Sequence, residues 1–179
     1  MGVVGILGRL DAPLNQWEQH LPPMEGRRIK TAEKASALFD DGPLDLFAVA
    51  PGVIVGEEEP LPACRLLLLP GANAPLIRRV NAPCVMSYGI SSKDSLTVSS
   101  LEADHLSLAI QRELVTISGG TVERQELILG IHGITKPIPW VFWVGVLLIL
   151  GIPVEALPAL LEGEALSAKG PKQKKTGII

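Results

Sequence analysis

Residues 65–89 read RLLLLPGANAPLIRRVNAPCVMSYG. Leu66 to Leu69 follow Arg65 as an unbroken apolar run, which Pro70 and Gly71 stop. A strand wetted on one face alternates apolar and polar residues, so a continuous run predicts a strand covered on both faces, as in a parallel α/β sheet. Cys84 to Tyr88 is a second run of this kind, ended by Gly89. Ala74 to Val80, between the two, predicts a short helix or loop. Strand, short connection and strand in this order suit a parallel crossover unit.

Towards the N-terminus, Val3 to Leu7 closes at Gly8 and predicts a first buried strand. Leu44 to Val49 predicts another, with Val53 to Val55 as its exit beyond Pro51 and Gly52. Residues 15–43 are polar and broken by Pro22, Pro23, Gly26 and Gly42, with one helix expected over Thr31 to Phe39 and Thr31 as its N-cap. Glu57, Glu58 and Glu59 read as a solvated loop.

Towards the C-terminus, a loop at Ser91 to Asp94 leads into a strand whose Leu96, Val98 and Leu101 are expected to point inward. Leu106, Leu108 and Ile110 alternate with polar or small residues, and a matching segment runs from Thr121 to Leu129. With Gly119 and Gly120 between them, these segments predict an antiparallel hairpin closed by a glycine turn. The apolar run from Trp140 to Ile152 lies between Pro139 and Pro153 and falls short of the roughly 20 residues that a spanning helix needs. It predicts a buried core helix, followed by a short helix over Val154 to Leu161 with Glu155 near its start. The expected fold is α/β, with a Rossmann-like, mostly parallel sheet, an antiparallel hairpin and a buried C-terminal helix. Residues 1–162 are expected to form a single domain. Residues 163–179, with Lys169, Lys172, Lys174 and Lys175, are expected to form a disordered basic tail.

Composition narrows the function classes. A net charge of -3 supplies no broad basic field, so nucleic-acid binding is not expected. Cys64 and Cys84 fit neither a disulfide framework nor a C-x-x-C metal motif, and Met1 to Leu10 lack the basic start of a signal peptide. Both features point to a cytoplasmic setting. His20, His105 and His132 are isolated, so no metal site is expected. No G-x-x-x-x-G-K-[ST] occurs, and Gly5-Ile6-Leu7-Gly8-Arg9 lacks the lysine and hydroxyl that hold nucleotide phosphates and magnesium. A self-sufficient ATP-using enzyme is therefore not expected, nor is a cofactor. The most suggestive polar segment is Ser91 to Ser100, whose hydroxyls and Lys93 could bind an anion, directly after Tyr88 and Gly89.

Three landmarks follow one another in the second half of the chain. Tyr88-Gly89 precedes the hairpin of residues 106–129, then comes Leu129-Gly130-Ile131-His132, and last Leu150-Gly151-Ile152-Pro153-Val154-Glu155-Ala156-Leu157. In order and spacing this resembles the later part of the central domain of the Mur ligases, the ATP-dependent amino-acid ligases of peptidoglycan synthesis. The family's phosphate loop, magnesium ligands and separate ligase domain have no counterpart in these residues. Gly133 and Thr135 or Lys136 stand where asparagines would follow the histidine. The resemblance thus implies a shared fold more than a shared reaction: a noncatalytic binding or regulatory module in a bacterial cytoplasm, linked to cell-wall metabolism.

Ligands of open α/β sheets sit at strand ends, which makes Tyr88, Gly89, Ser91, Ser92, Lys93 and His132 the candidate ligand-binding residues, with Ser91 to Lys93 facing an anionic group. The expected partner is an anionic small molecule or a protein. One alternative is a small enzyme acting on a phosphorylated or nucleotide-sugar substrate through Lys93 and Asp94. Another is a peripheral membrane protein that uses Trp140 to Ile152 as an interfacial helix and the lysine tail as an anchor.

Overall fold

A computed structural model describes residues 2–9 and 26–167, without the side chains of residues 41 and 163–167. The strands are β1 (Gly2–Leu7), β2 (Arg27–Ala32), β3 (Leu44–Val49), β4 (Cys64–Pro70), β5 (Cys84–Gly89), β6 (Leu96–Leu101), β7 (Leu106–Ile110), β8 (Leu114–Val115), β9 (Thr121–Val122) and β10 (Gln125–Leu129). Two α-helices follow, α1 (Ile138–Ile149) and α2 (Leu157–Ser167). Eight strands form one sheet in the order β2-β1-β3-β4-β5-β6-β7-β10, while β8 and β9 form a separate ribbon. From β2 to β6 all neighbours are parallel, and β7 is antiparallel to both β6 and β10. This is the mostly parallel α/β architecture that the unbroken apolar runs require.

Both faces of the sheet are covered. On one side α1 packs over β4, β5 and β6 and joins a core that includes Leu68, Met86 and Leu96, and its residues 140–149 are all buried. The apolar side chains from Trp140 to Leu150 are therefore buried inside the protein. No helix among the described residues is long and apolar enough to cross a membrane. The other face, with Leu7, Phe47, Val49, Leu67 and Leu69, is covered by short 3-10 segments over Ala35–Asp41 and Gly71–Arg78.

Several expectations change in the structure. The helix expected over Thr31 to Phe39 is absent: Thr31 lies in β2, and only Ala35–Asp41 turns, as 3-10. β2 pairs with β1 from Gly2↔Arg27 to Leu7↔Ala32 and is an edge strand, so its polar sequence faces water while its backbone joins the ladder. Glu59 is also not merely solvated, since its Oε1 accepts the N–H of Ala35 at 3.0 Å and supplies the cap expected of Thr31. The antiparallel pairing of residues 106–110 with 125–129 is present, but Gly119 and Gly120 close the β8–β9 ribbon instead of that pair. Residues 111–124 have their own buried anchors, Leu114 and Ile117, and Ile117 donates its N–H to Ile149 O at 2.8 Å. Leu101 is exposed, because a bulge between Val98 and Ser100 shifts the register of β6 against β7. α2 extends past Glu162 to Ser167, and residues 168–179 lie outside the described part of the chain.

Candidate functional site

The strand order reverses between β1 and β3, the usual place for a ligand in an open α/β sheet. At the end of β1, Val53 and Ala50 pack closely against the backbone of Gly8. Gly8 has φ +105°, and a Cβ on it would sit 2.4 Å from Val53 Cγ2 and 3.0 Å from Ala50 Cβ. An open space lies two strand pairs further along, at the carboxyl ends of β4 and β5.

That space is a cleft of about 650 Å³, within the usual range for small-molecule sites. Its floor comes from the ends of β4 and β5 and its walls from Ala72, Ala74 and Ile77, from Ile90, and from Ile138 at the start of α1. The lining is mostly apolar, with polar groups from Ser87, Ser91, Lys93 and Asp94. The connection from β5 to β6 can be this short because the two strands overlap only at Tyr88↔Leu96 and Gly89↔Thr97, so β6 starts where β5 stops. The loop between them therefore stands at the mouth of the cleft.

Of the six candidate residues, Tyr88, Gly89, Ser91 and Lys93 line this cleft. Ser92 is exposed in the same loop but is not part of the lining. His132 is elsewhere and exposed; its charge, with the hydrogen bond and charge of His105, helps to lower the Asp104 carboxyl. The largest cause there is the hydrogen bond from His105, whose Nδ1 lies 2.8 Å from Asp104 Oδ1. Tyr88 is wholly buried, donates its hydroxyl to Val49 O at 2.8 Å and meets the Phe142 ring at 5.3 Å between centroids. Burial pushes its phenol well above the ordinary range. Tyr88 thus braces the cleft floor from below.

The Ser91–Asp94 loop is folded on itself. Ser91 N–H donates to Asp94 Oδ2 at 3.2 Å, Lys93 N–H to Ser91 Oγ at 3.2 Å, and Asp94 N–H to Ser91 O at 3.0 Å. These three backbone donors are therefore spent inside the loop and cannot cradle an anion, which leaves the Lys93 ammonium and the serine hydroxyls for that task. Lys93 makes no ion pair with a described residue.

Asp94, which the sequence marks only for the enzymatic alternative, is also part of the cleft lining. Its side chain is only 5% exposed, yet it lines the cleft. The carboxylate fits because Gly71 and Gly89 have no side chains: a Cβ on Gly71 would sit 2.0 Å from Oδ1 and one on Gly89 2.5 Å from Oδ2. Oδ2 is occupied by Ser91 N–H, whereas Oδ1 has no hydrogen-bond partner among the described residues. In the sequence Asp94 is one polar residue in a polar loop, and its place is revealed by two glycines far apart in the chain, Gly71 just after β4 and Gly89 at the end of β5. No group of three or more potential metal ligands occurs among the described residues. No protein-family model matches the chain, and no curated protein matches its sequence.

Proposed function

We propose that the chain is a small-ligand binding module, noncatalytic by itself, whose site is the cleft at the carboxyl ends of β4 and β5. The observation that carries this reading is the convergence of Tyr88, Gly89, Ser91 and Lys93 on one apolar cleft of ligand size. Strand ends of open α/β sheets are where such folds take their ligands. The floor is fixed by the buried Tyr88 hydrogen bond and the mouth by the self-bonded loop, so little ordering cost remains for binding. Lys93 is the group that meets an anionic part of the ligand. The likeness of the second half to Mur ligases adds cell-wall precursors to the compounds worth testing.

The test is a screen of the purified protein by backbone amide spectra and thermal shift. The panel is ATP with magnesium, other nucleotides, UDP-linked cell-wall precursors, and small amines and zwitterions. A ligand at 100 times its Kd adds about 2.7 kcal/mol of stability, roughly 5 to 10 °C in Tm for a chain of this size. The expected result is a shift with amide changes concentrated at Gly71 and residues 89–94. A panel with no effect on those amides refutes the reading and turns attention to a protein partner.

A further inference from the structure

Resting on the reading of the cleft as a ligand site, we infer that Asp94 is its recognition carboxylate and that the ligand carries an ammonium group on an apolar body. The Asp94 side chain is 5% exposed, and the hydrogen bond it accepts from Ser91 N–H falls on Oδ2, not on Oδ1. Buried charges are normally paired or bonded on every side. Oδ1 belongs to a side chain that lines the cleft, so it offers an acceptor to a molecule inside it. An anionic group beside Oδ1 would add like charge, whereas an ammonium forms the stronger, charge-assisted hydrogen bond.

The rest of the lining agrees. Ala72, Ala74, Ile77, Ile90 and Ile138 offer apolar contact to the body of the ligand, and Ile90 is 76% exposed. Lys93, next to Asp94 and also on the cleft, supplies the opposite charge. A carboxylate and an ammonium side by side above an apolar wall complement a zwitterion with an aliphatic side chain, which makes apolar α-amino acids and molecules that end in one the ligand class.

The experiment titrates the full-length protein with three probes that share an isobutyl group: L-leucine, 3-methylbutylamine and 4-methylpentanoate. Amide shifts at Gly71 and residues 89–94 are the readout. Leucine and the amine are expected to bind, leucine more tightly, and the acid at least tenfold more weakly than leucine. Asp94→Asn keeps an acceptor for Ser91 N–H and is expected to weaken leucine and amine binding tenfold or more without moving amides outside the cleft. Lys93→Ala is expected to reduce leucine to the affinity of the amine and to leave the amine unchanged. Should the acid bind the wild-type cleft as well as the amine does, the role of Asp94 falls while the cleft stands as a ligand site. Binding of leucine or amine that Asp94→Asn does not alter has the same consequence. If nothing in this series or in the wider panel shifts the cleft amides, both readings fall. The probe comparison on the wild-type protein decides the matter even if Asp94→Asn does not fold.

Discussion

Thr97 shows how a single side chain can oppose the fold that holds it. It lies in β6, is 4% exposed, and its Oγ1 has no hydrogen-bond partner. Alternation would place it on the hydroxyl-bearing outer face of that strand, yet it is buried, paired with Gly89 of β5 and Ala109 of β7. A buried hydroxyl without a partner costs roughly 1–3 kcal/mol. Thr97→Val keeps the shape and the β-branching while removing that group, and is expected to raise stability by about 1 kcal/mol. The urea midpoint measures it, and a lower midpoint would mean that the hydroxyl is bonded after all. Asp94 is the opposite case, a buried polar group placed where something else can reach it. Both residues were polar letters in a polar stretch, and their difference arises from which atoms the neighbouring strands bring beside them.

At the scale of elements, α1 presses its backbone onto the sheet at Gly145. A Cβ there would stand 3.2 Å from Leu68 Cδ2 and 3.5 Å from Leu96 Cδ2, so alanine fits only if Leu68 yields slightly. The gain in helix propensity, about 1 kcal/mol, offsets that contact, and Gly145→Ala is expected to be near neutral. Gly145→Val adds bulk that cannot be accommodated and is expected to cost about 1–3 kcal/mol, read as a lower urea midpoint with an unchanged slope. Equal effects of the two variants would show that the helix does not sit this close. The existence of α1 was legible because a run of apolar residues between prolines has no use in water. The partner of that run, a sheet face assembled from separate strands, was not.

At the scale of the whole molecule, two buried acids on different strands make the fold sensitive to alkali. Burial pushes the Cys64 thiol from about 9 up to about 12 and holds the Tyr88 phenol above its ordinary 10. Above about pH 9 the unfolded chain therefore releases protons that the folded chain keeps, so the folded state binds more protons and stability falls as pH rises. The contribution is fully present below the unfolded pKa values and is lost through the window from about 9 to 12 for Cys64. Urea midpoints are expected to decline steadily over the accessible part of that window. Cys64→Ala and Tyr88→Phe should each flatten the decline, and a flat wild-type profile would mean that both groups reach solvent in the folded state.

The sequence by itself determined the class of fold, since uninterrupted apolar runs such as Leu66–Leu69 are stable only when both faces are covered. It also determined the buried helix and most of the loop at the candidate site, because proline, glycine and serine act locally on the backbone. Only the tertiary structure decided that Arg27–Ala32 is a strand, since an edge strand draws its stability from a neighbour in the sheet and not from its own pattern. Only the tertiary structure separated His132 from the cleft and set Asp94 between Gly71 and Gly89, three residues whose approach depends on the register of β4, β5 and β6. Local propensity acts over a few residues, whereas a binding site is made by contacts between strands, and no short stretch of sequence contains those.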